Sequence, residues 1–111
     1  MLNELKGVVA SKNKNKIIEG EVFLSNYFNK EYNTEAIKGK ILVCIRTDYG
    51  NIELLKNFKA IVTEYGGILS HAAIISREFK IPCIVGIKDV TKILKSSQKI
   101  SLDFEKGIIK I

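Results

Sequence analysis

The sequence predicts a single α/β domain over residues 1–111, with parallel and antiparallel strands mixed in its sheet. Two observations carry this. Continuous apolar runs at "ILVCIR", "AIVT" and "CIVG" read as strands buried on both faces, and they alternate with segments of helical period. Hairpin-like strands stand at both ends of the chain.

The elements follow in order. "LKGVVAS" reads as a short strand, "KNKNK" as a polar turn and "EGEVFLSNY" as a second strand. "FNKEYNTEAIKG" is a polar connection with a helical turn, and "KILVCIR" is a buried strand. "GNIELLKNF" spaces Ile52, Leu55 and Phe58 three apart, as an amphipathic helix does. "KAIVTE" is a buried strand, followed by the turn "YGGILS". "HAAIISREF" sets Ala72, Ile75 and Phe79 on one helical face. "KIPCIVG" is a strand whose proline stands at its start, where a missing N–H does least harm. "DVTKILKS" reads as a short helix, and "KISLDFEKGIIKI" as a closing hairpin with Gly107 in its turn.

Composition narrows the function. Hydrophobic residues make up 46% and charged residues 27%, an ordinary globular balance that excludes disorder. No apolar run reaches a membrane span, and "MLNELKG" lacks a signal-peptide core, so a cytoplasmic protein with no membrane partner is expected. The net charge of +6 rests on 16 lysines scattered along the chain and two arginines. No basic run is interleaved with aromatics, so the lysines read as a solvated surface and no nucleic-acid partner is expected. Cys44 and Cys83 each sit in an apolar strand-like run and read as core residues. With one histidine in the chain, they build no metal site.

That histidine is His71, in "TEYGGILSHAAIISREFKIPCIVG". Gly66 and Gly67 permit backbone angles closed to other residues, and Ser70 suits an N-cap, its hydroxyl accepting from the amide of Ala72 or Ala73. His71 then opens the helix, where free amides and the helix dipole favour negative charge and disfavour imidazolium. A neutral imidazole beside anion-binding amides is a phosphate site with its own nucleophile. By composition and spacing alone, a lone histidine is more often a structural or surface residue. Composition and spacing also leave room for a general base, though no serine or cysteine nucleophile with a partnering acid is evident nearby.

The same stretch resembles the phosphohistidine signature of the mobile, swivelling domain of phosphoenolpyruvate-utilising enzymes. Such domains occur in phosphoenolpyruvate synthase, pyruvate phosphate dikinase, enzyme I and rifampicin phosphotransferase. The resemblance rests on Thr63-Glu64, Gly66-Gly67, Ser70-His71-Ala72-Ala73-Ile74, Arg77-Glu78, Ile81-Pro82 and Val85-Gly86. Weaker similarity extends it over residues 39–111, with residues 1–38 fitting an opening hairpin loosely. It implies a three-layer β/β/α fold and a phosphoryl group carried on His71. Gly66, Gly67, Ser70 and Ala72 would form the loop and cap, and Thr47 would touch the phosphoryl group. Thr63, Glu64 and Arg77 match family positions. Arg77 lies about 120° around the helix from His71, which suits a structural ion pair better than a phosphate contact. Leu69 stands where many members carry threonine, Tyr49 where proline is common, and Phe79-Lys80 where Leu-Gly is usual. The closing hairpin also lacks a usual glycine after Asp103.

The resemblance implies a stand-alone carrier that binds no cofactor itself. It would work in trans with an ATP-grasp nucleotide-binding protein, a phosphoenolpyruvate- or pyruvate-binding protein, or both. Mg2+ and ATP or phosphoenolpyruvate are expected on those partners. The alternative is a non-catalytic interaction module that kept the fold and lost the phosphate chemistry. A ring sealed in the core would favour that alternative.

Overall fold

A computed structural model describes residues 4–28, 33–47 and 52–111. The predicted connection at 29–32, the start of the predicted second helix at 50–51, and Tyr49 lie outside the described residues.

The opening strand is interrupted. It forms β1 (Glu4–Lys6) and β2 (Val8–Ser11), separated only by Gly7. Next come β3 (Ile17–Leu24), β4 (Tyr27–Phe28), α1 (Thr34–Ile37), β5 (Ile41–Cys44) and β6 (Arg46–Thr47). Then follow α2 (Ile52–Leu55), β7 (Ala60–Thr63), α3 (His71–Phe79), β8 (Cys83–Val85) and α4 (Val90–Ile93). The hairpin β9 (Lys99–Asp103) and β10 (Ile108–Lys110) closes the chain. Gly107 sits in the hairpin turn at φ +69°.

Eight strands form one sheet in the order β1-β10-β9-β3-β5-β7-β8-β2. The β5, β7 and β8 strands run parallel to their neighbours through β3, as βαβ crossovers require, while the hairpin half and β2 are antiparallel. β3 is long enough to belong to both halves. Residues Ile17 to Glu21 pair with β9, and Val22 to Leu24 pair with β5. At the far ends, β1 pairs with β10 and β2 with β8, so Gly7 carries the chain from one sheet margin straight to the other. The sheet therefore folds back on itself.

This folding makes two cores. Leu5, Ile18, Ile100, Leu102 and Ile109 from the hairpin half pack with Val43, Val62 and Ile84 from the parallel half. The opposite face of the same parallel strands presents Leu42, Ile61, Cys83 and Val85 to Ile37, Leu55, Ala72 and Ala73. Strand, strand, helix is the three-layer β/β/α order. The apolar runs are continuous because alternate residues enter different cores.

The α3 helix spans the residues predicted, and the predicted face of Ala72, Ile75 and Phe79 packs on the helix-side core. Ala72, Ala73 and Ser76 are buried, Ile75 and Phe79 flank them, and Ile74 is exposed. Small side chains on that face let the helix lie close to the sheet. α2 is shorter than its apolar spacing predicted. Beyond Leu55 the chain tightens into i→i+3 bonds, Asn57 N–H to the Leu54 carbonyl and Phe58 N–H to the Leu55 carbonyl, each 3.1 Å.

α3 ends on Lys80, which adopts φ 59° and ψ 39°. This is the left-handed conformation that glycine takes most readily. Lys80→Gly is expected to raise stability by roughly 0.5–1 kcal/mol, the left-handed penalty less the entropy that glycine adds to the unfolded chain. Urea denaturation checks this, and an unchanged or lowered midpoint would reject it.

Candidate functional site

After β7 the chain turns at Gly66, whose φ is +116°. A Cβ there would lie 2.8 Å from the Ser70 Cβ and 2.9 Å from its Oγ. Gly66 is thus required twice, by its backbone angle and by the close approach of Ser70. Gly67 is different. It has no positive φ, and a Cβ on it would meet nothing. Its contribution is its carbonyl, which accepts from the Ser70 amide at 3.0 Å and the Ser70 hydroxyl at 2.7 Å.

Ser70 is the predicted N-cap, with its Oγ accepting from the Ala73 amide at 3.3 Å. Ser70→Ala removes both hydroxyl bonds and is expected to cost roughly 0.5–2 kcal/mol. An unaltered unfolding midpoint would show that the cap contributes nothing.

His71 therefore opens α3 as expected, and its ring is half-buried. Its Nδ1 lies 2.8 Å from the Thr47 Oγ1, across 24 residues of sequence. Thr47 is buried and belongs to β6, which α3 packs against. Two tautomers satisfy this bond. In one of them Nδ1–H donates to Thr47 Oγ1, and the imidazole lone pair is then on Nε2. Nε2 has essentially no surface exposed to solvent in this conformation. The ring itself is not sealed in the core, because it lines a pocket of about 140 Å³ with Thr47, Gly66, Ser70 and Ala72. Thr47 holds the ring in this structure; the family resemblance implied that it touches the phosphoryl group.

Three other predicted positions stand apart from this pocket. Thr63 is buried and its hydroxyl donates to the Tyr65 carbonyl at 2.9 Å. The Glu64 Oε1 accepts from the Thr91 amide at 3.1 Å and the Thr91 hydroxyl at 2.6 Å, tying the loop to the start of α4. Arg77 corrects an expectation: its partners are backbone carbonyls, not a carboxylate. Nη1 donates to Ala10 O at 3.1 Å and Nη2 to Ile68 O at 2.6 Å. The guanidinium thus braces the loop that leads to His71.

Two residues at the pocket were given no role by the sequence, Arg46 and Tyr65. Arg46 precedes Thr47 in "CIRTD", and its arginine identity in a lysine-rich chain was the available signal. Tyr65, which lines the pocket, and Ile68 and Leu69 of the same loop are exposed, Leu69 by 81%.

The cysteines lie in the helix-side core. Burial pushes the Cys83 thiol up to about 12 and the Cys44 thiol higher still, so both stay protonated at neutral pH. Neither is a thiolate nucleophile. Wider clefts exist elsewhere, such as one of about 600 Å³ near Lys12, Arg77 and Lys80, but it shares no lining residue with the His71 pocket.

Residues 36–107 match the family described as PEP-utilising enzyme, mobile domain. A probable phosphoenolpyruvate synthase of Archaeoglobus fulgidus is 39% identical over 105 residues, which are 95% of this chain and 13% of that protein. The chain thus spans about an eighth of that relative's length. The solution structure of an Enzyme I protein aligns over 70% of this chain and 33% of its own, with TM-score 0.58 and 25% identity. Thermococcus kodakaraensis aconitase X, in its holo-form, aligns over 97% of both chains with TM-score 0.72 and 24% identity, a likeness of fold alone. No described helix is long and apolar enough to cross a membrane. By the extent of the family match and the 39% identity over nearly the whole chain, this chain belongs to the mobile-domain family of PEP-utilising enzymes.

Proposed function

We propose that this chain is a phosphohistidine carrier that works in trans. His71 takes a phosphoryl group from a donor held by one partner and passes it to an acceptor held by another. The observation that carries the reading is the 2.8 Å bond between Thr47 and His71 Nδ1 at a capped helix start. With Nδ1–H donating to Thr47, the Nε2 lone pair attacks phosphorus. The N–P bond forms as the P–O bond to the donor breaks, and the departing oxygen keeps the electron pair. The first-turn amides and dipole of α3 favour the dianionic product.

The donor comes from outside the chain. A pocket of about 140 Å³ suits a phosphoryl group and is smaller than the roughly 300–1,000 Å³ usual for small-molecule sites. ATP or phosphoenolpyruvate, with Mg2+, is assigned to an ATP-grasp nucleotide-binding protein or a phosphoenolpyruvate/pyruvate-binding protein. The exposed Tyr65, Ile68 and Leu69 of the loop before His71 suit burial against such a partner.

The covered Nε2 favours a second reading, an interaction module that no longer carries phosphate. Under the carrier reading, the ring turns about its side-chain bonds, or the loop before Ser70 yields, to bring Nε2 to the donor. Incubation with candidate partners and labelled ATP or phosphoenolpyruvate separates the two. A carrier acquires acid-labile, alkali-stable label only when a partner is present. A module stays unlabelled under every combination.

A further inference from the structure

We propose that Arg77 is a positioning residue for phosphoryl transfer, clamping the loop before α3 to the body of the domain and so fixing where the His71 ring stands. The assignment rests on the carrier reading and adds a residue to it. Arg77 lies in the second turn of α3, yet it reaches back past the start of its own helix. Its Nη2 donates to the Ile68 carbonyl at 2.6 Å, and its Nη1 to the Ala10 carbonyl of β2 at 3.1 Å. One guanidinium thus joins the helix, the loop and the edge strand of the sheet.

The clamp reaches His71 through consecutive bonds. Ile68 follows Gly67, whose carbonyl accepts from the Ser70 amide at 3.0 Å and the Ser70 hydroxyl at 2.7 Å. The Ser70 Oγ in turn accepts from the Ala73 amide, capping the helical turn that carries the ring. With the Ile68 carbonyl held, Gly67 and Ser70 keep their places and His71 meets Thr47. The loop has little else of its own to hold it there. Ile68 is 55% exposed and Leu69 81%, so their side chains contribute little burial, and segments of that kind open easily. Arginine suits the task because its planar fork meets two carbonyls in fixed directions. A lysine would offer a single mobile ammonium.

The test uses phosphoramidate, a small chemical donor that needs no partner protein. His71 Nε2 forms its N–P bond while the P–N bond of phosphoramidate breaks. Ammonia leaves with that electron pair and a proton from solvent, and the phosphorylated ring returns its Nδ1 proton to solvent. Arg77→Gln is expected to slow labelling of the full chain about 10- to 100-fold, as displacement of a reacting group by up to about 1 Å does. Arg77→Lys, which keeps the charge and the aliphatic stem, should recover only part of the rate. Millimolar guanidinium should speed the labelling of Arg77→Ala. Ring 15N NMR gives a reading that a purely structural role would leave unmoved. The folded wild type should show one tautomer, with the proton on Nδ1, and folded Arg77→Gln a mixture of both. Wild-type rates in Arg77→Lys and Arg77→Gln, with unchanged ring signals, would overturn the assignment while leaving the carrier intact. If the wild type takes no acid-labile label from phosphoramidate or any partner, the carrier reading fails and this assignment fails with it.

Discussion

His71→Ala is expected to abolish phosphoryl labelling completely while leaving the fold unchanged. The chain has one imidazole, so no second nitrogen nucleophile of this kind can take its place. The ring is half-buried at the head of a helix, and its removal leaves the buried Thr47 hydroxyl without this partner, so a stability loss of about 1–3 kcal/mol with the fold retained is expected. The label on the wild type should be lost in acid and survive alkali, as a P–N bond behaves. His71→Gln should be equally unlabelled, since an amide nitrogen has no available lone pair. Labelling is measured with a partner and labelled ATP or phosphoenolpyruvate. Label that persists in His71→Ala, or that resists acid, would end the carrier reading and leave the interaction module in its place.

Gly7→Ala should produce the largest loss of stability. A Cβ at this position would lie 2.4 Å from the Ile87 Cγ1 and 2.7 Å from the Val85 carbonyl oxygen. The second of these is backbone in the parallel half of the sheet and cannot swing aside as a side-chain tip can. The Gly7 amide also donates to the Gly107 carbonyl at 2.9 Å, so the strand cannot retreat without breaking the link to the hairpin turn. Overpacking of this kind costs about 3 kcal/mol, a large share of the roughly 5–15 kcal/mol by which domains are stable. Urea and thermal unfolding measure it. A loss below about 1 kcal/mol would mean that the junction between β1 and β2 adapts and that Gly7 is not what folds the sheet back on itself.

The sequence by itself determined the local features of this protein. The buried strands at "ILVC", "AIVT" and "CIV", the helix at His71–Phe79, its Ser70 cap and the closing hairpin with Gly107 all agree with their sequence reading. Each depends on periodicity or capping within a few residues, where the chain's own neighbours supply the physics. The loop glycines were legible as a pair, but only Gly66 is held by conformation and crowding, because the crowding atom belongs to a Ser70 side chain folded back over it. Only the tertiary structure decided the rest. Gly7 as the crossing between sheet margins depends on β1 finding β10 while β2 finds β8. The Thr47–His71 bond exists because the β5 and β7 register brings β6 against the head of α3. Arg77 was expected to meet a carboxylate and instead meets the Ala10 and Ile68 carbonyls, brought near by packing of α3 on β2. Arg46 reached the pocket by the same route as Thr47. Contacts between residues distant in the chain follow from strand pairing and layer packing, and neither is encoded in the spacing around a single residue.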